Sequence, residues 1–190
     1  MVAKSLNMTP KSIAVFCGSQ PGKDEIYQEH AKSLGKLIAQ QGIRLVYGGG
    51  NKGLMGAIAN EMMAKGGEVV GVIPEVLKGW EHHHEGITEL HIVADMHVRK
   101  KMMYEMCDAA IILPGGYGTM DEFFEMLTWN TLQIHDKQIV ILNTAQYYRP
   151  LIILLEQMHQ QQFLYEPVYK RIKIAATPHE ALQQLGCTIT

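Results

Sequence analysis

Short apolar runs that end in glycine-rich turns, each followed by a segment of helical period, recur along this chain. Ile13–Cys17 runs into Gly18-Ser19-Gln20-Pro21-Gly22, Arg44–Tyr47 into Gly48-Gly49-Gly50, and Ala109–Leu113 into Pro114-Gly115-Gly116. Each run is short for a helix and apolar without alternation, as a strand buried on both faces must be. Further strands are expected at Glu68–Ile73, Leu90–Ala94, Ile139–Leu142 and Ile172–Ala175. Ala31, Leu34, Leu37 and Ile38 recur at helical spacing between Asp24 and Gln41. Helices are also expected from the second glycine turn to about Lys65, and over Met96–Cys107, Thr119–Leu132, Tyr147–Gln162 and His179–Leu185.

Strand and helix alternating in this way define an α/β chain. The expectation is one Rossmann-like, doubly wound parallel sheet of about seven strands with helices on both faces. Residues 1–190 are read as a single nucleotide-binding domain, with 1–11 a flexible lead-in. Right-handed crossovers give the order 3-2-1-4-5 onward, which places the topological switch between the first and fourth strands. Ligands of such sheets bind beyond the carboxyl ends of the strands at that switch. Gly18-Ser19, the Gly48–Gly56 loop, the Asp95–Arg99 turn and the Pro114–Thr119 loop should therefore share one rim.

Composition narrows the partners. A net charge of −2 over 190 residues gives no electrostatic footprint for nucleic acid or an anionic membrane. No apolar stretch approaches the roughly 20 residues of a membrane-spanning helix. Cys17, Cys107 and Cys187 are odd in number and widely spaced, which favours a reducing cytoplasm over a disulfide framework or a zinc site.

The turn after Ala109–Leu113 carries the sharpest chemistry. Its glycines let backbone N–H groups face a ligand, and the positive end of the next helix favours an anion such as phosphate. Yet this loop ends in Asp121 and Glu122. Thr119-x-x-Glu122 fits a capping box, in which the two side chains satisfy each other's backbone N–H groups. The other reading makes Glu122 a reacting carboxylate. Asp95 is a natural cap for the following helix, and Arg99, Lys100 and Lys101 come soon after it. Basic side chains favour the last turn of a helix, so their position here points to Arg99 lying over an anionic group in the rim. Arg99 could clamp such a group through two parallel N–H donors.

Other motifs weigh less. The Gly48–Gly56 string is a weak dinucleotide signal: Glu75 lies near the spacing for a ribose contact, but it follows Pro74 in a loop after the third strand. His82-His83-His84 reads as an exposed histidine run without partners at metal-ligand spacing, and no metal is expected. Ser19 lacks the Gly-x-Ser-x-Gly context of a serine hydrolase.

Pro114-Gly-Gly-Tyr-Gly-Thr-Met-Asp-Glu122 resembles the PGGxGTxxE motif of the LOG ("lonely guy") family. Val15–Ser19, Val46–Gly50, Gly53–Gly56, Gly71–Pro74, Ala94–His97 with Arg99-Lys100, and Thr128-Trp129 followed by Ile134–Lys137 match it collinearly. The family comprises phosphoribohydrolases of cytokinin riboside 5′-monophosphates, some resembling AMP nucleosidases, and many were labelled lysine decarboxylases. The resemblance implies Arg99 and Glu122 as the catalytic pair. It implies a phosphate held by Gly116, Gly118 and Thr119 with Ser19 nearby. Gly115, Tyr117, Met120 and Asp121 complete that motif's contacts with a nucleoside 5′-monophosphate. Glu81, Lys100 and Thr128 match further substrate-contacting positions, although Lys78–His84 departs from the family's usual loop. It also implies a homodimer whose site is completed across the interface, and no cofactor. A decarboxylase would need a Schiff-base lysine, and no motif singles one out. A non-catalytic class stays open: a nucleotide or molybdenum-cofactor carrier of the same fold, which would not need Arg99 with Glu122.

Overall fold

The computed structural model describes residues 9–77 and 83–189. Seven strands form one sheet in which every neighbouring pair is parallel. In chain order they are β1 (Ser12–Phe16), β2 (Arg44–Tyr47), β3 (Val69–Pro74), β4 (Glu89–Val93), β5 (Ala109–Ile112), β6 (Gln138–Leu142) and β7 (Ile172–Ala175). The helices are α1 (Ile26–Gln40), α2 (Gly53–Ala64), α3 (Met96–Met106), α4 (Tyr117–Thr131), α5 (Arg149–Gln160) and α6 (Pro178–Gln184).

The apolar runs are buried on both faces, as their lack of alternation required. All of β1, β3 and β5 is buried. One core lies between the sheet and α1, α2 and α6, with Leu34, Ile38, Ile58, Met62 and Leu182 at its centre. The opposite core joins the sheet to α3, α4 and α5 through Met103, Tyr104, Phe123, Met126 and Leu155. No helix among the described residues is long and apolar enough to cross a membrane.

The strand order is β4-β3-β2-β1-β5-β6-β7, which corrects the expected one. The fourth strand adds outside β3, and the fifth, not the fourth, pairs with β1, Phe16 standing opposite Ile112. The burial of β4 explains this: Glu89 and Ile92 are exposed and only Val93 is fully buried, as suits an edge strand. From that edge α3 crosses back beneath β3, β2 and β1, carrying its first two turns to the switch point now set between β1 and β5. Arg99 therefore reaches the rim from a helix that traverses the sheet.

Candidate active site

Backbone hydrogen bonds close the rim. Gly18 N–H donates to Pro114 O at 3.0 Å, and Leu54 N–H donates to Gly18 O at 3.1 Å, joining the turns after β1 and β5 to the start of α2. Tyr147 Oη donates to Gly115 O at 2.7 Å, and Tyr148 Oη to Leu113 O at 2.6 Å. Gly115 lies so close to Thr119 that a Cβ there would meet Oγ1 at 2.1 Å. The hollow these turns enclose, about 280 Å³, is bounded by Gly18–Gln20, Tyr27, Leu54, Pro114–Gly116 and Tyr147. Its floor is the start of α4, where the cap residue is Gly116, which has no side chain to bond the first-turn N–H groups. Those donors and the helix dipole suit an anion.

The helix begins at Tyr117, two residues earlier than expected, and this decides the local role of Glu122. Thr119 and Glu122 both lie inside α4, so the capping box does not form. Instead the Glu122 side chain turns inward and Oε1 lies 3.4 Å from Nη2 of Arg99, with both residues 6% exposed. Arg99 Nε donates to Val72 O at 3.1 Å, and Met96 Sδ lies 3.7 Å from Nη1. Gly48, the residue after β2, clears space for the guanidinium: a Cβ there would sit 2.2 Å from Nη2. Asp95 does cap α3, its Oδ1 accepting from His97 N and Val98 N at 2.8 and 2.9 Å. The anionic group inferred from basic residues at the start of this helix includes a residue of the protein, Glu122.

Lys100 extends the charge cluster. Nζ donates to Asp121 Oδ2 and Glu125 Oε2, both at 3.0 Å. Burial opposes its charge, but the two carboxylates outweigh that and hold its pKa above the usual lysine value. An amine so held in its protonated form is poorly placed to form an imine.

A family profile described as "Possible lysine decarboxylase" matches residues 55–185. A protein of Rhodococcoides fascians named cytokinin riboside 5′-monophosphate phosphoribohydrolase is 48% identical over 172 residues, covering 90% of this chain and 87% of the relative. The chain belongs to the LOG family. Arabidopsis thaliana LOG7, which carries the same enzyme name, is 43% identical over 92% of this LOG-family chain and 81% of its own length. Among solved structures, a molybdenum cofactor binding protein from Rippkaea orientalis superposes with a TM-score of 0.68 over 92% of this chain and 94% of that one. At 18% identity that likeness is one of fold.

In this LOG-family chain Ser19, Gly116, Tyr117 and Gly118 are exposed at the mouth, and Gly115 and Met120 are half-buried behind it. Thr119 is buried beneath the loop, and Asp121 is exposed beside Lys100. Thr128 is not brought to this mouth. It lies on a different face of α4, donates to Phe124 O at 2.7 Å, and lines an apolar groove with Leu127, Met158 and Phe163. Glu81 and His82 lie outside the described residues. The exposed histidine run is corrected at His84, which is buried and within 3.0 Å of Asn60 Oδ1. Among the described residues no group of three or more His, Cys, Asp or Glu could hold a metal ion. Residue patterns missed Tyr104, whose hydroxyl meets Glu122, and Tyr147, which ties Gly115. No motif marks either tyrosine, because each acts through a long-range contact.

Proposed function

We propose that this protein hydrolyses the N-glycosidic bond of a purine nucleoside 5′-monophosphate, a cytokinin riboside 5′-monophosphate or AMP, giving free base and ribose 5-phosphate. The buried Arg99–Glu122 pair beside the uncapped start of α4 is the observation that carries this reading. Close homology to proteins named for that reaction supports it.

Phosphate and carboxylate occupy one helix start because the substrate has two ends. The N–H groups of the Gly116–Thr119 turn suit the 5′-phosphate, and Glu122, one turn further on, faces the sugar. Loss of the base develops positive charge at the anomeric carbon, as in other glycoside cleavages. The Glu122 carboxylate stabilises that charge and orients or deprotonates the attacking water. One water adds across the bond: its oxygen goes to the anomeric carbon and a proton to the departing base. Arg99 meets the carboxylate, Nη2 lying 3.4 Å from Glu122 Oε1. Its part is to orient Glu122.

The active unit in this reading is a homodimer in the cytoplasm. The apolar groove between α4 and α5 supplies the contact face, and the three buried cysteine thiols suit a reducing compartment.

Incubation with AMP and with isopentenyl-AMP, followed by detection of free base and ribose 5-phosphate, tests the proposal. Base from AMP alone would mark a general nucleosidase, and base from neither would return the chain to a carrier role. Glu122→Gln should retain nucleotide binding and lose at least about a hundredfold in turnover, the usual share of a general acid or base. Arg99→Lys should also fail, because an ammonium cannot reproduce the planar fork that spans Val72 O and Glu122.

A further inference from the structure

Tyr104 occupies the last full turn of α3 and is 2% exposed. Its ring packs edge-on to Phe16 and Trp129, with centroids 6.0 and 5.3 Å away. Phenylalanine would fill the same space. A buried hydroxyl is costly unless it is bonded, and this one is. Tyr104 Oη lies 3.1 Å from the carbonyl oxygen of Glu122 and 3.0 Å from Glu125 Oε2, so its single hydrogen is shared between a carbonyl and a carboxylate. Burial first, and then the Glu125 charge, push its pKa far above the ordinary tyrosine value, so it remains a donor.

The backbone of Tyr104 is held as well. Its carbonyl belongs to the last turn of α3, where acceptors lack helical partners, and Lys137 Nζ donates to it. Lys137 closes the Ile134–Lys137 block that the sequence singled out without giving it a role. Arg99, Lys100 and Tyr104 of α3 thus grip Glu122, Asp121 and Glu125 of α4. Arg99 meets the Glu122 carboxylate and Tyr104 meets the Glu122 backbone, so the residue is fixed at both ends.

We infer that Tyr104, seated by Lys137, is a positioning residue for glycosidic bond cleavage: its hydroxyl anchors the turn of α4 that aims Glu122. The inference rests on Glu122 being the reacting carboxylate. Tyr104 acts through that turn and does not touch the substrate.

Tyr104→Phe in the full chain tests it, read by steady-state kinetics on the nucleotide that the wild type cleaves and by amide hydrogen exchange. The expected result is a kcat lowered about tenfold to a hundredfold with KM little changed, the scale of a small misplacement of a reacting group. Exchange should rise in peptides covering 117–126 and stay unchanged in α1. A loss confined to KM, or unchanged exchange over 117–126, would overturn the assignment. If the wild type releases no base, the enzymatic reading falls, and exchange over 117–126 still decides whether Tyr104 anchors the turn. Lys137→Met loosens the same tyrosine from outside the core. It should lower kcat in the same direction if Tyr104→Phe folds poorly, and an unchanged kcat there would count against the anchor.

Discussion

Glu122 shows how one residue can satisfy a local pattern and be used otherwise. Thr-x-x-Glu at a helix start is a sound capping signature, but the glycines before it let α4 begin at Tyr117, and the box then falls inside the helix. Arg99 was legible because basic side chains near a helix start go against the macrodipole. Its surroundings were not, since Val72, Gly48 and Glu122 come to it from three other segments. Gly48 gives the sharpest residue-scale prediction. An alanine Cβ there would stand 2.2 Å from Nη2 of Arg99 and 3.1 Å from Met55 Sδ. The guanidinium head is the part able to yield, so Gly48→Ala should fold while Arg99 is displaced from Glu122. We expect turnover to fall by about a hundredfold, as for a roughly 1 Å misplacement near a reacting centre, and the melting temperature to fall as well, because a buried ion pair is broken. Wild-type turnover in that variant would mean that Arg99 need not hold its position.

At the scale of elements, the alternation of strand and helix was readable, but not where every strand would sit. Glu-Leu-His-Ile-Val at β4 mixes polar and apolar residues where the central strands do not, and that is the edge signal the strand order needed. The docking of the segment leading to β4 escaped the sequence reading, which took its histidines as exposed. His83 bridges Gly50, His84 N–H donates to Gly49 O at 3.0 Å, and the segment is thereby stapled to the glycine turn next to Arg99. His84 Nδ1 accepts from Gly86 N–H at 3.1 Å, which assigns the ring hydrogen to Nε2 and makes it the donor to Asn60 Oδ1. The neutral ring is the one that fits, and burial lowers the His84 pKa from 6.5. Above that value the ring is neutral in both folded and unfolded chains. As pH falls below it the unfolded chain takes up the proton first, so stability declines until the folded-state pKa is passed. Burial shifts His30 and His135 in the same direction. The melting temperature should therefore fall as pH drops below 6.5, the ordinary histidine value from which all three are lowered. His84→Gln should melt lower at neutral pH and show a shallower acid decline. Parallel pH curves for variant and wild type would remove His84 from this account.

The whole molecule poses a question that periodicity could not answer, because an apolar helix face looks the same whether it meets its own core or a second chain. The two cores account for the sheet faces of the six helices among the described residues, yet apolar surface remains. Leu132, Phe163 and Tyr165 are 65%, 82% and 100% exposed around the groove between α4 and α5. A concentration of large side chains in water on that scale is what an association surface offers. Thr128 lines the same groove, on a face of α4 turned away from the Glu122 carboxylate. If Thr128 serves a nucleotide site as its motif implies, a second copy must present it, and association and activity become linked. Sedimentation of the wild type should then give a dimer, and Phe163→Glu combined with Leu132→Glu should give a folded monomer. Because neither side chain belongs to the core beneath the sheet, melting measured at matched protein concentration should change only by the lost association. Turnover per chain in the monomer should fall well below that of the dimer and recover in part at high protein concentration. A monomer with full turnover would show that each chain carries a complete site, and would leave Thr128 without a catalytic part.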